Sequence, residues 1–168
     1  MYMGRFDTYH KGLDRLASLA SKLPDVTFGL YGTEDRTALP VLPSNVRVHG
    51  PVYGEEKWQI LASARIYVQL SRWEAFGMSI FEAMMVGTAP VVAREMHASA
   101  SVESLGGIAI DASLPSQDVL RVRDLLARSG SGNLRSRMAT EATALLDPRR
   151  VAESTESVYR SAINSLHS

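Results

Sequence analysis

Apolar residues along this chain recur with two periods, and the two alternate. Short β-rich runs at Val26–Tyr31, Val46–His49, Ile66–Leu70, Pro90–Ala93 and Ile108–Ile110 have the length of strands. Between them, apolar positions fall at helical spacing: Leu13, Leu16, Ala17, Ala20 and Leu23, then Trp58, Leu61 and Ala62. Such alternation predicts βαβ units, whose right-handed crossovers lay helices on both faces of a mainly parallel sheet. The expected class is therefore α/β, a Rossmann-like three-layer domain. From Gln117 onward the strand signal stops and three helical patterns follow, which predicts a C-terminal helical segment. The last of them, about Pro148 to Leu166, has Pro in its first turn and a stripe of Val151, Val158, Ala162 and Leu166 with Tyr159 alongside. That stripe reads as a helix closing the core. The Ser129–Asn133 stretch is turn chemistry between helices, and no repeat or linker interrupts the chain, so residues 1–168 are read as one domain.

Composition narrows the function classes. With 45% apolar and 21% charged residues, 168 residues are enough to bury a core without disulfides or metals. Eighteen basic residues balance eighteen acidic ones, so no general positive field exists to hold nucleic acid, and any anion site must be local. The absence of Cys removes disulfides, thiolate metal sites and a Cys nucleophile, and fits a cytoplasmic location. The most apolar stretch, 80–93, is interrupted by Glu82, Gly87, Thr88 and Pro90, which rules it out as a membrane span. It leaves other membrane contact open.

In parallel α/β sheets ligands bind beyond the carboxyl ends of the strands. This points to the segments around Gly4, Gly32, Gly50, Ser71 and Arg94. The richest is Ser71–Gly87, Ser-Arg-Trp-Glu-Ala-Phe-Gly-Met-Ser-Ile-Phe-Glu-Ala-Met-Met-Val-Gly. There a loop holding Phe76, Gly77 and Met78 leads from a strand into a helix starting near Ser79, and its backbone N–H groups form a natural phosphate site. Glu82 has only apolar neighbours from Ile80 to Val86, where an ionised carboxylate needs a partner, and ribose hydroxyls would serve. Glu74, from the preceding loop, would face the same cleft and accept hydrogen bonds from sugar hydroxyls. From spacing alone a second reading is equally weighted: either carboxylate merely favours a helix N-terminus. At the chain start, Gly4-Arg5 follows the first strand and Lys11-Gly12 opens the first helix, placing two cations at the same edge. An Arg fork and a Lys ammonium suit a diphosphate. Taken singly, they read as solvated surface charges.

The ordered run Tyr2-Met-Gly-Arg-Phe-Asp, Lys11-Gly-Leu-Asp-Arg-Leu, Asn45-Val-Arg-Val-His-Gly50 and Ser71–Gly87 resembles the C-terminal domain of family 4 retaining glycosyltransferases of the GT-B fold. The resemblance spans nearly the whole chain, and its most specific element is the pair Glu74 and Glu82, separated by seven residues. It implies that Arg5 and Lys11 bind the donor diphosphate, that Glu74 contacts the transferred sugar, and that Glu82 holds the nucleotide ribose. It further implies that the backbone of Phe76, Gly77 and Met78 cradles sugar and phosphate, that Gly4 and Gly32 are close-approach glycines, and that Val52 lies where main chain reads the base. With a nucleotide-diphosphate sugar as donor, no cofactor is implied. Same-face attack assisted by the leaving phosphate would need no protein nucleophile. With no Asp-x-Asp pair or His cluster, no metal is expected.

The chain departs from the family pattern at Leu70, at Ala75, at Ala100-Ser101, which bears on the sugar pocket, and at the longer Gly87-Thr-Ala-Pro90, which alters the approach to the strand, so an unusual donor preference is expected. The N-terminal acceptor domain of such enzymes is absent from these 168 residues, so the chain is expected to bind donor but to need an acceptor domain or subunit for transfer. His10, His49, His97 and His167 are read as structural or solvent-facing. The alternative function is a non-catalytic nucleotide-sugar-binding or regulatory module of the same fold. A dehydrogenase or Walker-type reading fails, because neither Gly-x-Gly-x-x-Gly after the first strand nor Gly-Lys-Ser/Thr is present.

Overall fold

A computed structural model of the chain describes residues 1–33 and 35–166, apart from the side chains at 151, 162 and 164–166. The elements run β1 (Tyr2–Met3), α1 (Leu13–Lys22), β2 (Phe28–Tyr31), β3 (Val46–His49), α2 (Gly54–Ser63) and β4 (Ile66–Gln69). They continue as α3 (Met78–Met85), β5 (Ala89–Ala93), α4 (Ser99–Ser104), β6 (Ile108–Ile110), α5 (Ser116–Arg128), α6 (Gly132–Leu145) and α7 (Pro148–Leu166). The five β-rich runs of the sequence all become strands, within a residue or two of their expected ends.

The strands form two parallel three-stranded sheets, in the orders β1-β2-β3 and β4-β5-β6. These meet at their β1 and β4 edges: Val68 N–H donates to Met1 O at 2.7 Å, and the Met1 amine donates to Ile66 O at 2.8 Å. The spatial order is thus 3-2-1-4-5-6, with the direction of winding reversing between β1 and β4. In a doubly wound sheet that reversal opens a crevice beyond the strand ends.

Burial follows position in the sheet. β4 and β5 are buried along their whole length, as strands covered on both faces must be, which explains why they are apolar except for Gln69 at the end of β4. β3, at the edge, alternates half-buried Val46 and Val48 with exposed Arg47 and His49. The α1 stripe buries Leu13, Leu16, Ala17, Leu19 and Ala20, and each leucine so buried contributes about 1.5–3 kcal/mol. Asn45, just before β3, closes the C-terminal end of α1: its Nδ2 lies 3.0, 2.9 and 2.8 Å from the carbonyls of Ala20, Leu23 and Val26. This assigns the asparagine of the third motif a structural duty, satisfying carbonyls that a helix end leaves open.

One expectation is corrected. The described side chains of α7 from Ala152 to Ser161 are all exposed, with Val158 and Tyr159 each 67% accessible, so α7 does not close the core. The side chains of Val151, Ala162 and Leu166 lie outside the described set, as does His167. The core is closed earlier, by Val122 and Leu125 of α5 and by Met138 and Ala142 of α6, which leaves the α7 stripe no inner surface to cover. Among the described residues, no helix is long and apolar enough to cross a membrane.

Candidate functional site

A cleft of about 730 Å³ opens at the carboxyl ends of β1 and β4, where the winding reverses. Its walls gather Gly4, Arg5, Lys11, Val52, Glu74, Phe76, Gly77, Met78 and Glu82, nine of the ten residues expected from sequence. Gly32 lines an adjoining cavity of about 350 Å³, which shares Met3, Gly4, Arg5, Val52 and Tyr53 with the cleft. At Gly32 a Cβ would stand 2.2 Å from Gly4 O, so the β1 and β2 ends approach this closely only because no side chain intervenes. Ala100 and Ser101 are not part of the cleft lining, whereas Ala75 is. A further cavity of about 370 Å³, lined by Phe28, Tyr31, Arg47, Ile60 and Arg65 among others, contains no carboxylate.

Inside the cleft the charges are arranged as two lysine–glutamate pairs. Lys11 Nζ donates to Glu74 Oε2 at 2.6 Å, with both side chains mostly shielded from solvent. The same oxygen accepts from Gln69 Nε2 at 2.8 Å. Gln69 is itself buried, and its Oε1 accepts from Ser79 Oγ at 3.0 Å and lies 3.1 Å from the Tyr67 hydroxyl, whose single proton is shared with Met3 O at 2.9 Å. Burial raises the Tyr67 phenol above its ordinary value, so it stays a donor at neutral pH. Glu74 is thus held by a chain of satisfied polar groups running back into β4, and among the described residues its side-chain partners are Lys11 and Gln69, with no hydrogen bond from the N–H groups of α3. The second pair is Lys57 Nζ to Glu82 Oε1, also 2.6 Å. The isolated carboxylate expected on an apolar helix therefore has a partner, supplied by the first turns of α2.

Arg5 behaves differently. It reaches Asp7 at 3.0 Å and remains 66% exposed at the cleft mouth, free of Glu74 and Glu82. Asp7 is held below the usual carboxylate range chiefly by the backbone N–H of His10. His10 and His97 are exposed, and His49 stacks on Tyr31 with ring centroids 4.4 Å apart.

Three residues not anticipated as site members emerge: Lys57, Gln69 and Arg72. Gln69 did leave a signal, a polar residue inside an otherwise apolar strand. Arg72, outside the cleft lining itself, ties two of the cleft's loops together. Its guanidinium forms a bidentate pair with Asp14 at 2.8 and 2.6 Å, donates to Tyr9 O at 2.7 Å and lies 4.2 Å from the Tyr9 ring centroid. Its backbone N–H also donates to His10 O at 2.9 Å. The loop bearing Lys11 is thereby fastened to the loop bearing Glu74. Arg72→Ala is expected to destabilise the fold by about 1–2 kcal/mol, discounted for partial exposure. Urea unfolding of the Arg72→Ala, Asp14→Ala and double variants should give a coupling of roughly 1 kcal/mol, and additive losses would exclude the clamp. The Arg72 guanidinium holds the Asp14 carboxyl below its ordinary range. The pair's contribution is therefore complete above pH about 4 and fades as the pH falls through Asp14's depressed value.

The loop before α3 ends at Gly77, which caps the helix in the left-handed conformation with φ +79°. The first N–H groups of α3 are at the cleft wall, where Met78 and Ser79 line it. Among the described residues, no group of three or more carboxylate, imidazole or thiolate side chains is placed to hold a metal ion.

The family model for glycosyl transferases group 1 matches residues 1–144. No curated protein matches the chain. Among solved structures, sucrose-phosphate synthase from Thermosynechococcus elongatus superposes with TM-score 0.75 at 19% identity, over 98% of this chain and 45% of that one. WaaG, a glycosyltransferase involved in lipopolysaccharide biosynthesis, gives TM-score 0.65 at 17% identity, over 88% and 43%. The pneumococcal O-GlcNAc transferase GtfA, in complex with UDP and GlcNAc, gives 0.60 at 16%, over 99% and 36%. The chain thus spans less than half the length of these relatives in fold. With the family matched across both cleft-bearing sheets, the chain belongs to the glycosyl transferases group 1, and its fold is that of the C-terminal domain of a GT-B glycosyltransferase.

Proposed function

We propose that this domain binds a nucleotide-diphosphate sugar and presents it for transfer, with retention at the anomeric carbon, to an acceptor held by another domain or subunit. The observation that carries this reading is the Lys11–Glu74 pair beside the Lys57–Glu82 pair in one cleft at the sheet's winding reversal. A lysine ammonium has three N–H donors, so Lys11 can keep Glu74 and still offer two to phosphate oxygens. Arg5, at the cleft mouth, adds a fork-shaped donor set. Together they neutralise a diphosphate leaving group without a metal, and the α3 N–H groups near Phe76, Gly77 and Met78 add oriented dipoles. Glu74, with one oxygen engaged, keeps the other for sugar hydroxyls, and Glu82 accepts from ribose. Gly4 and Gly32 let the nucleotide approach the backbone, and the main chain at Val52 meets the base.

The reaction then relies on charge stabilisation at the departing phosphate and on holding donor and acceptor together, with no protein nucleophile. The pneumococcal transferase described in complex with UDP and GlcNAc supports a donor site on this fold. The absence of Cys fits work in a reducing cytoplasm.

Calorimetric titration with UDP, GDP and ADP tests the reading. At least one diphosphate is expected to bind below millimolar concentration. A folded protein that binds none of the three at that level would overturn the donor-site assignment.

A further inference from the structure

Lys57 and Glu82 come from different elements, α2 and α3, and meet at 2.6 Å with side chains 25% and 20% exposed. Both line the cleft. The lysine takes only Oε1, and among the described residues no hydrogen bond reaches Oε2, which leaves that oxygen's lone pairs open. Glu82 has buried apolar neighbours on α3, Phe81 and Ala83, and the Ser79 hydroxyl of the same helix donates to Gln69 Oε1, so among the described residues Lys57 is the side chain that fixes the carboxylate's rotation. Lys57 is fixed in turn: it lies in the first turns of α2, with its ammonium 5.1 Å from the Trp58 ring centroid.

We propose that Lys57 is a positioning residue that orients the Glu82 carboxylate toward the donor's ribose diol and so sets a preference for ribonucleotides over 2′-deoxyribonucleotides. This rests on the reading of Glu82 as the ribose acceptor. Pinning one oxygen leaves the carboxylate a single orientation in which the other faces the cleft. A ribose supplies two adjacent O–H donors, and a 2′-deoxyribose supplies one fewer. A site built to receive two hydroxyls discriminates against the ligand lacking one, because a charged acceptor is then left short of a partner. Without Lys57 the carboxylate can turn to water, and the discrimination falls even though Glu82 is still present.

The experiment compares dissociation constants of UDP and 2′-deoxy-UDP, or the corresponding GDP or ADP pair if that base binds better, for the parent chain and for Glu82→Gln, Lys57→Met, Lys57→Gln and Lys57→Arg. The parent is expected to prefer the ribonucleotide about 10- to 100-fold, the factor for one hydrogen bond to a charged acceptor. Glu82→Gln, Lys57→Met and Lys57→Gln should each bring that ratio to within about threefold of unity, with ribonucleotide affinity falling further than deoxynucleotide affinity, and Lys57→Arg should restore part of it. Thermal melting of each variant establishes that it is folded, and having two neutral replacements keeps the test open if one is not. A parent-like ratio in a folded Lys57→Met or Lys57→Gln protein would overturn the proposal. So would an equal loss for both nucleotides, which would mark Lys57 as a phosphate ligand. If the parent binds diphosphates but does not distinguish the sugars, the ribose role of Glu82 falls and this inference with it. If it binds none, the donor reading itself is wrong.

Discussion

Lys11→Ala is expected to weaken nucleoside diphosphate binding by roughly 10- to 100-fold, the range for losing a charge-assisted contact to phosphate, while nucleoside binding changes by less than about twofold. The asymmetry is the informative part. Lys11 stands 2.6 Å from Glu74, and removing it leaves that carboxylate with Gln69 alone. A diphosphate arriving there would meet an uncompensated negative charge in addition to losing its cation. A nucleoside, with no phosphate, would feel neither effect. Titrating the wild-type and Lys11→Ala proteins with the diphosphate and the bare nucleoside of the same base separates the two, and equal losses for both ligands would count against the phosphate role. In an assembled transferase the same change should depress turnover more than substrate affinity, because charge on the departing diphosphate grows toward the transition state.

The largest expected structural effect comes from the residue next to it. Gly12 caps α1 at φ +66°, and a Cβ built there would lie 1.9 Å from Leu70 O and 2.6 Å from Leu70 C. Those are backbone atoms at the end of β4, which cannot swing aside as a flexible side chain would. Gly12→Ala thus combines left-handed strain with an overpacked backbone contact, about 2–5 kcal/mol in total. For a domain of this size that lowers the melting temperature by about 5–15 °C. Calorimetric melting measures it, and a shift smaller than about 2 °C would mean that α1 and β4 do not approach as closely as described. Because Lys11 is carried by the same turn, whatever fraction stays folded should also bind diphosphate poorly.

Much of the site was legible in the residues themselves. Glu82 stood out because a carboxylate is costly in apolar surroundings, Glu74 because its loop follows a strand at the same cleft, and the Phe76–Met78 loop because a strand leading through glycine into a helix aims N–H groups at one point. The same reasoning failed for α7. Its stripe at helical spacing looked like a core face, yet Val158 and Tyr159 are exposed, since periodicity reports that a helix is amphipathic and not what covers it. Lys57 was missed for a related reason: on its own helix it is one charged residue beside Glu55 and Glu56, and nothing local distinguishes it.

The amino-acid order by itself determined the α/β alternation, the strand positions and the edge of the sheet at which the cleft opens, because periodicity, turn residues and capping preferences act over a few residues along the chain. Only the tertiary structure decided which charges meet. Lys11 and Glu74 are 63 residues apart and Lys57 and Glu82 are 25 apart, and each pair depends on how helices cross over a shared sheet. A contact of that kind is set by the packing of α1, α2 and α3 around β4, and no local pattern encodes it.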